Sequence, residues 1–185
     1  MSLQIEPTAH PDIRLLTPAR FDDPRGTFSE TWNARTFAEA GIGADFCQDN
    51  QSWSRQAGTV RGLHFQAPPF AQAKLVRVLR GAIIDVAVDV RRHSPRFGQW
   101  IRARLSAESG AQIFIPRGFL HGFATLEADT VVLYKVDAHY DAGSSGSVRW
   151  DDPDLAIDWG LGGRAPVLSK QDAEAVSWSE FRSPF

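Results

Sequence analysis

The stretch Ala82-Ile-Ile-Asp85-Val-Ala-Val-Asp89-Val90 carries the reading of the fold. Ala82, Ile84, Val86, Val88 and Val90 alternate with Ile83, Asp85, Ala87 and Asp89. A repeat of two is that of a β-strand, whose successive side chains point to opposite faces, and it predicts a strand with one strongly apolar face. Working outward, Val60 to Gln66, Lys74 to Arg80, Trp100 to Leu105, Gln112 to Ile115 and Thr130 to Val136 read as further strands. Gly and Pro clusters separate them. Helices are few and peripheral. Asn33 is a candidate N-cap for a helix running to Ala40, closed at Gly41, and Ser169-Lys-Gln-Asp172 resembles the capped start of a second, short one. From Leu3 to Arg20 the chain reads as an extended, proline-punctuated segment. Phe21-Asp-Asp-Pro-Arg-Gly26 reads as turns. Many short strands with one or two helices predict an all-β barrel or double-sheet jelly roll.

With 185 residues the chain suits one domain spanning 1–185. Its 20 Lys and Arg against 22 Asp and Glu give a formal net charge of −2, which argues against nucleic acid or a membrane surface as partner. The partner expected is a small molecule. Cys47 is the sole cysteine, no apolar run approaches the roughly 18 residues of a membrane span, and the N-terminus lacks an apolar signal region. These features predict a cytoplasmic protein.

Polar side chains interrupt the apolar runs at a few places. Arg61-Gly-Leu-His64-Phe-Gln66 and Lys74-Leu-Val place two cations around a histidine, and buried cations need an anionic partner that a substrate would supply. The imidazole of His64 suits proton abstraction and return. Arg61 and His64 would face opposite sides of a regular strand, so their cooperation requires a bulge, for which Gly62 is placed. His121 reads either as a ligand or as a buried, hydrogen-bonded histidine, with Asp85 as its candidate partner. Tyr134 shares a strand face with Val132 and Val136. Its phenol is either packed in the core or a proton donor opposite a histidine base. Arg25, Phe28, Glu30, Gln48 and Asn50 lie in polar clusters beside aromatics, readable as turns or as contacts to a diphosphate.

Gly110-Ala-Gln-Ile-Phe-Ile-Pro116-Arg-Gly118-Phe-Leu-His121 has the spacing G-x5-P-x-G-x2-H and resembles the second motif of the cupin barrels. The first motif is only half present: Gly58 is followed by His64, but Gln66 stands where a second histidine is usual and the glutamate is missing. A transition metal normally needs three or four ligands. The expectation is a cupin-type jelly roll without metal or other cofactor.

Taken together, Phe21 to Glu30, Gln48 to Ser52, Arg61 to Gln66, Lys74 to Val76, Asp85 to Asp89, Ser94-Pro95, Ile115 to Phe123, Tyr134-Lys135 and Trp150 to Pro153 resemble the dTDP-4-dehydrorhamnose 3,5-epimerases. The resemblance implies that His64 is the base, Tyr134 the acid and Asp172 the carboxylate paired with the base. It implies that Arg25, Phe28, Glu30, Gln48, Asn50, Arg61, His121 and Tyr140 hold a nucleotide sugar, in a homodimer sharing residues across its interface. The residues themselves suit the chemistry, because C3 and C5 of a 4-keto sugar share one enolate oxygen and Lys74 is the natural electrophile for it. The chain departs from the family pattern at His139-Tyr140-Asp-Ala142, at Ser145 and at Gln171, which stands where a lysine is usual. Competing expectations are a C3-only epimerase, a ketoisomerase of a related deoxysugar, and a non-catalytic sugar-nucleotide-binding cupin. Stoichiometric iron or manganese would instead mark an oxygenase.

Overall fold

The computed structural model describes residues 2–185. Thirteen strands and two short helices follow one another as β1 (Leu3–Pro7), β2 (Arg14–Pro18), β3 (Phe21–Asp23), β4 (Gly26–Phe28), α1 (Ala34–Glu39), β5 (Gln48–Ser54), β6 (Val60–Gln66), β7 (Lys74–Arg80), β8 (Ala82–Asp89), β9 (Trp100–Ser106), β10 (Gln112–Ile115), β11 (Phe119–Thr125), β12 (Thr130–Val136), β13 (Ser145–Ser147) and α2 (Lys170–Ala173). A six-stranded sheet has the order β1-β2-β10-β7-β12-β5, and a five-stranded sheet the order β13-β6-β11-β8-β9. β3 and β4 form a separate hairpin. Some sequence-adjacent strands land in different sheets, as β6 and β7 do. The architecture is the expected double-sheet jelly roll.

Between the sheets lies a core of Val76, Val78, Ile113, Ile115 and Val132 from one side and Ile83, Ala87, Ile101, Leu105, Phe119 and Phe123 from the other. Burying each large side chain of this kind is worth about 1.5–3 kcal/mol. β8 is buried on both faces rather than one. Ile83, Asp85 and Ala87 face the interior, while Val86, Val88 and Val90 join Val60, Leu120 and Ala124 under Leu155, Trp159 and the C-terminal segment. The more apolar set thus points out of the barrel, because residues after Val148 cover that sheet and remove it from water.

The expected strands at Val60 to Gln66, Lys74 to Arg80 and Gln112 to Ile115 occur with those limits. Four regions carry more order than their sequence suggests. The segment from Leu3 is two paired strands, the turn-rich stretch is the β3–β4 hairpin, and the polar Gln48 to Ser54 is a full strand beside β12. The fourth is the end of the cupin-like motif, where Phe119 to Thr125 forms a strand between β6 and β8. Asn33 does cap α1, its side chain accepting from the Arg35 and Thr36 amides, and Ser169 caps α2. Among the described residues, no helix is long and apolar enough to cross a membrane.

Candidate active site

One end of the inter-sheet space stays open because polar side chains replace apolar ones along four strands. On the five-stranded side, β6 and β11 pair with His64 opposite His121 and Arg61 opposite Phe123. Gly62 and Leu63 on β6 therefore span a single residue, Gly122, on β11, and this bulge turns Arg61 and His64 toward the same cavity. Gly62 is obligatory there. Its φ of 139° is one that L side chains rarely adopt, and a Cβ would meet the Gly122 Cα at 2.6 Å. From the six-stranded side, Lys74 on β7 and Tyr134 on β12 reach into the same space, with the ammonium 6.0 Å from the phenol ring centre.

The cavity has two lobes. The inner one, of about 300 Å³, is lined by Ser52, Arg61, His64, Lys74, His121 and Tyr134 together with Asp172. The outer one, of about 210 Å³, shares His64, Lys74, Tyr134 and Gln171 and adds Gln48, Asn50, Gln72, Tyr140 and Ser145. The inner lobe is cationic and the outer one is lined by amides. Arg25, Phe28 and Glu30 line neither lobe. Arg25 stands at the exposed tip of the hairpin, paired with Asp23, and Phe28 and Glu30 border a different hollow with Trp32, Arg77 and Lys135.

Two histidine–aspartate pairs furnish the five-stranded wall. His64 Nε2 lies 2.5 Å from Asp172 Oδ1, and His121 Nε2 lies 2.9 Å from Asp85 Oδ2. An ionised carboxylate only accepts, so each imidazole donates Nε2–H and leaves Nδ1 as its free nitrogen. Burial would raise Asp172, yet the bonds from His64 and Ser169 outweigh it and hold its carboxyl below the usual range. Burial lowers His121 despite the opposing pull of Asp85, which keeps its imidazole neutral. Burial also brings Lys74 down to about 8, with Asp85 resisting, and raises Tyr134 against the pull of Arg61. At neutral pH the cavity therefore offers a neutral phenol and a cationic amine. That set can remove a carbon-bound proton, hold the resulting oxyanion and supply a proton in return.

The structure brings His64, Lys74, Tyr134, Asp172, Arg61, His121, Gln48, Asn50 and Tyr140 to one site, and it pairs Asp85 with His121. Sequence reasoning missed Ser52, whose buried Oγ has no hydrogen-bond partner among the described residues. A signal existed: Ser52 is two residues beyond Asn50 and shares its strand face. It also read Ser169 only as a helix cap, whereas Gln171, noted as a departure from the family pattern, lines both lobes. No group of three or more His, Cys, Asp and Glu among the described residues is arranged to hold a metal ion.

The family model for dTDP-4-dehydrorhamnose 3,5-epimerase matches residues 7–180. A dTDP-4-dehydrorhamnose 3,5-epimerase of Sinorhizobium fredii is 49% identical over 94% of this chain and 89% of its own length. Among solved structures, the enzyme of that name from Bacillus anthracis, with TDP and PPi bound, is 45% identical at a TM-score of 0.91, covering 94% of this chain and 98% of its own. The dTDP-6-deoxy-D-glucose-3,5-epimerase of Legionella pneumophila, in complex with dTDP-4-keto-L-rhamnose, is 42% identical at a TM-score of 0.93, covering 98% and 95%. With the family model spanning nearly all of the sequence and these relatives matching along most of their lengths, the chain belongs to the dTDP-4-dehydrorhamnose 3,5-epimerase family.

Proposed function

We propose that this enzyme inverts C3 and C5 of dTDP-4-dehydro-6-deoxyglucose, giving dTDP-4-dehydrorhamnose. The observation that carries the reading is the placement of His64 and Tyr134 on opposing sheets across one cavity, with Lys74 beside the phenol. His64, its Nε2–H given to Asp172, uses Nδ1 to take the proton from the carbon next to the ketone. The C–H electron pair moves into an enolate whose oxygen faces the Lys74 ammonium. Tyr134 then delivers its hydroxyl proton to the other face of that carbon, which inverts it. Solvent reprotonates the tyrosinate and deprotonates the imidazolium. Both centres flank the same carbonyl, so one oxyanion site serves each step in turn.

Arg61 suits a diphosphate oxygen, since among the described residues its guanidinium makes only long contacts of 3.4 Å to Ser54 Oγ and the Trp53 carbonyl. The amide-lined outer lobe suits the nucleoside. Arg25, Phe28 and Glu30 enter the proposal through a homodimer, in which the exposed β3–β4 hairpin would serve the partner's cavity. Phe21 is 51% exposed and Phe28 62%, an aromatic pair that a second copy would cover. The cytoplasm, where a lone exposed Cys47 stays reduced, is the proposed setting. Incubation of purified protein with dTDP-4-dehydro-6-deoxyglucose, followed by reduction and NMR of the sugar, tests the assignment. The L-rhamno configuration supports it, and unchanged D-gluco material contradicts it.

A further inference from the structure

Asp172 reaches His64 from a helix of only four residues, which by itself would hold a side chain loosely. Its backbone is pinned on both sides. Before α2, Val167 bridges Thr59, with the Val60 amide donating to the Val167 carbonyl at 3.0 Å and the Val167 amide to the Gly58 carbonyl at 2.9 Å. After α2, Val176 bridges Val148, and the Arg149 amide donates to the Val176 carbonyl at 2.9 Å. What the backbone leaves open is the rotation of the carboxylate.

Ser169 closes that freedom through a two-way contact. Its Oγ accepts the Asp172 amide at 3.1 Å, the usual act of an N-cap, and the same hydroxyl donates to Asp172 Oδ2 at 2.7 Å. The other oxygen, Oδ1, takes His64 Nε2–H at 2.5 Å and a longer contact of 3.4 Å from the Gly62 amide at the bulge. Asp172 is only 3% exposed, so without the hydroxyl Oδ2 would lie buried with no other protein donor in the described residues. The plane of the carboxylate, and so the direction in which the His64 ring is held, is set by the donor at Oδ2.

We propose that Ser169 is a positioning residue for the catalytic base: its hydroxyl orients the Asp172 carboxylate toward His64, a role separate from capping α2. The proposal rests on His64 acting as the base, and its test includes a measurement that needs no substrate. The Ser169 hydroxyl would join Asp172 and His64 in a hydrogen-bonded chain that runs from the C-terminal segment into the cavity. No proton need cross it. The hydroxyl acts by geometry and by stabilising the charged carboxylate.

Three variants separate positioning from capping. Ser169→Ala removes donor and acceptor. Ser169→Asp still accepts the Asp172 amide as a cap but has no proton to give and sets a second carboxylate beside the first. Ser169→Thr keeps both functions. The expected result is a kcat about tenfold lower for Ser169→Ala and at least as low for Ser169→Asp, KM within about twofold, and recovery of most of the rate in Ser169→Thr, the scale of one hydrogen bond to a charged group. In the free enzyme, the downfield Nε2 proton and ring nitrogen resonances of His64 should move in the Ala and Asp variants and stay in place in the Thr variant. A Ser169→Asp enzyme with the wild-type rate would reduce the hydroxyl to a cap and overturn the proposal. So would unmoved His64 resonances in Ser169→Ala. An inactive wild type with resonances that respond as described would instead refute the epimerase assignment and leave the positioning role standing.

Discussion

His64 and Asp172 meet at 2.5 Å although 108 positions separate them in the chain. The contact exists because the segment after Val148 crosses the outer face of the five-stranded sheet and returns α2 beside the bulge at Gly62. His64→Ala should lower turnover by at least about 10³-fold, since it removes the base itself. Asp172→Asn should retain the fold and lose about 10²-fold or more, because the amide can present a donor to Nε2 and select the wrong tautomer. Steady-state kinetics on folded variants, checked by circular dichroism, decide both. Wild-type rates in either variant would remove that residue from the mechanism.

Tyr134 stands on the opposite sheet, and its burial keeps the phenol protonated. Tyr134→Phe should therefore stop inversion while leaving proton removal by His64 in place. In deuterated water, label would enter the substrate with retention of configuration, faster than product forms by about 10²-fold. NMR follows both in one sample. Equal loss of exchange and inversion would contradict the assignment of separate faces.

Lys74 gives the pH dependence. Its ammonium, held near 8, shares the cavity with Asp85 behind His121, with His64 and Arg61 on β6, with Tyr134 on β12 and with Asp172 on α2. Above about pH 8 the amine loses its charge, and kcat should fall roughly tenfold per pH unit. Tyr134 is raised and so does not set this limb. The stability effect has the opposite sign. A lysine that folds with a depressed value binds fewer protons than in the unfolded chain, where it titrates near ~10.4. Its burial therefore costs stability below about pH 8, and that cost is lifted as pH rises from there toward the unfolded value. Denaturation of wild type against Lys74→Met across this range measures it. The gap between the two should narrow as pH rises.

A second buried network, remote from the cavity, should contribute to acid stability. Asp89 accepts from His10, from Arg91, and from Ser94 at 2.6 Å. Burial would raise its carboxyl, but the bonds from Arg91 and Ser94 hold it at about 2. A depressed carboxyl contributes stability that is complete above its unfolded value and is lost as pH falls through the folded one. The loss should thus run from about pH 4 down to about 2. Asp89→Ala should cost about 3 kcal/mol at pH 7, because it strands buried donors. Urea titration checks this, with kcat of the folded variant unchanged.

The hairpin supplies the test of assembly. Phe28→Ser should weaken a dimer and raise KM, with kcat changed by less than about threefold, if Phe28 serves only binding across the interface. Sedimentation velocity and kinetics measured together separate the two effects. A monomeric wild type with normal KM would exclude the shared site.

Strand identity was legible in β8 because its two polar residues, Asp85 and Asp89, fall on one face of a two-residue repeat, although that face too is buried. It was illegible in β5, where the inner face is Gln48, Asn50 and Ser52. These side chains face a polar cavity, so function displaced the apolar signal that would have marked the strand. The bulge at Gly62 could be anticipated from the need to bring Arg61 and His64 together. Ser169 could not be seen as more than a cap, since its second contact depends on where a distant segment returns. The remote position of Arg25, Phe28 and Glu30 was likewise invisible, for a hairpin's sequence fixes its turn and not where the hairpin stands relative to a cavity.

The central claim is tested most directly by incubating the enzyme with dTDP-4-dehydro-6-deoxyglucose in deuterated water and following the sugar carbons by NMR. The account predicts deuterium at both C3 and C5, with His64→Ala labelling neither. Label at C3 alone would contradict the double inversion, and no label at either carbon would contradict the epimerase mechanism altogether.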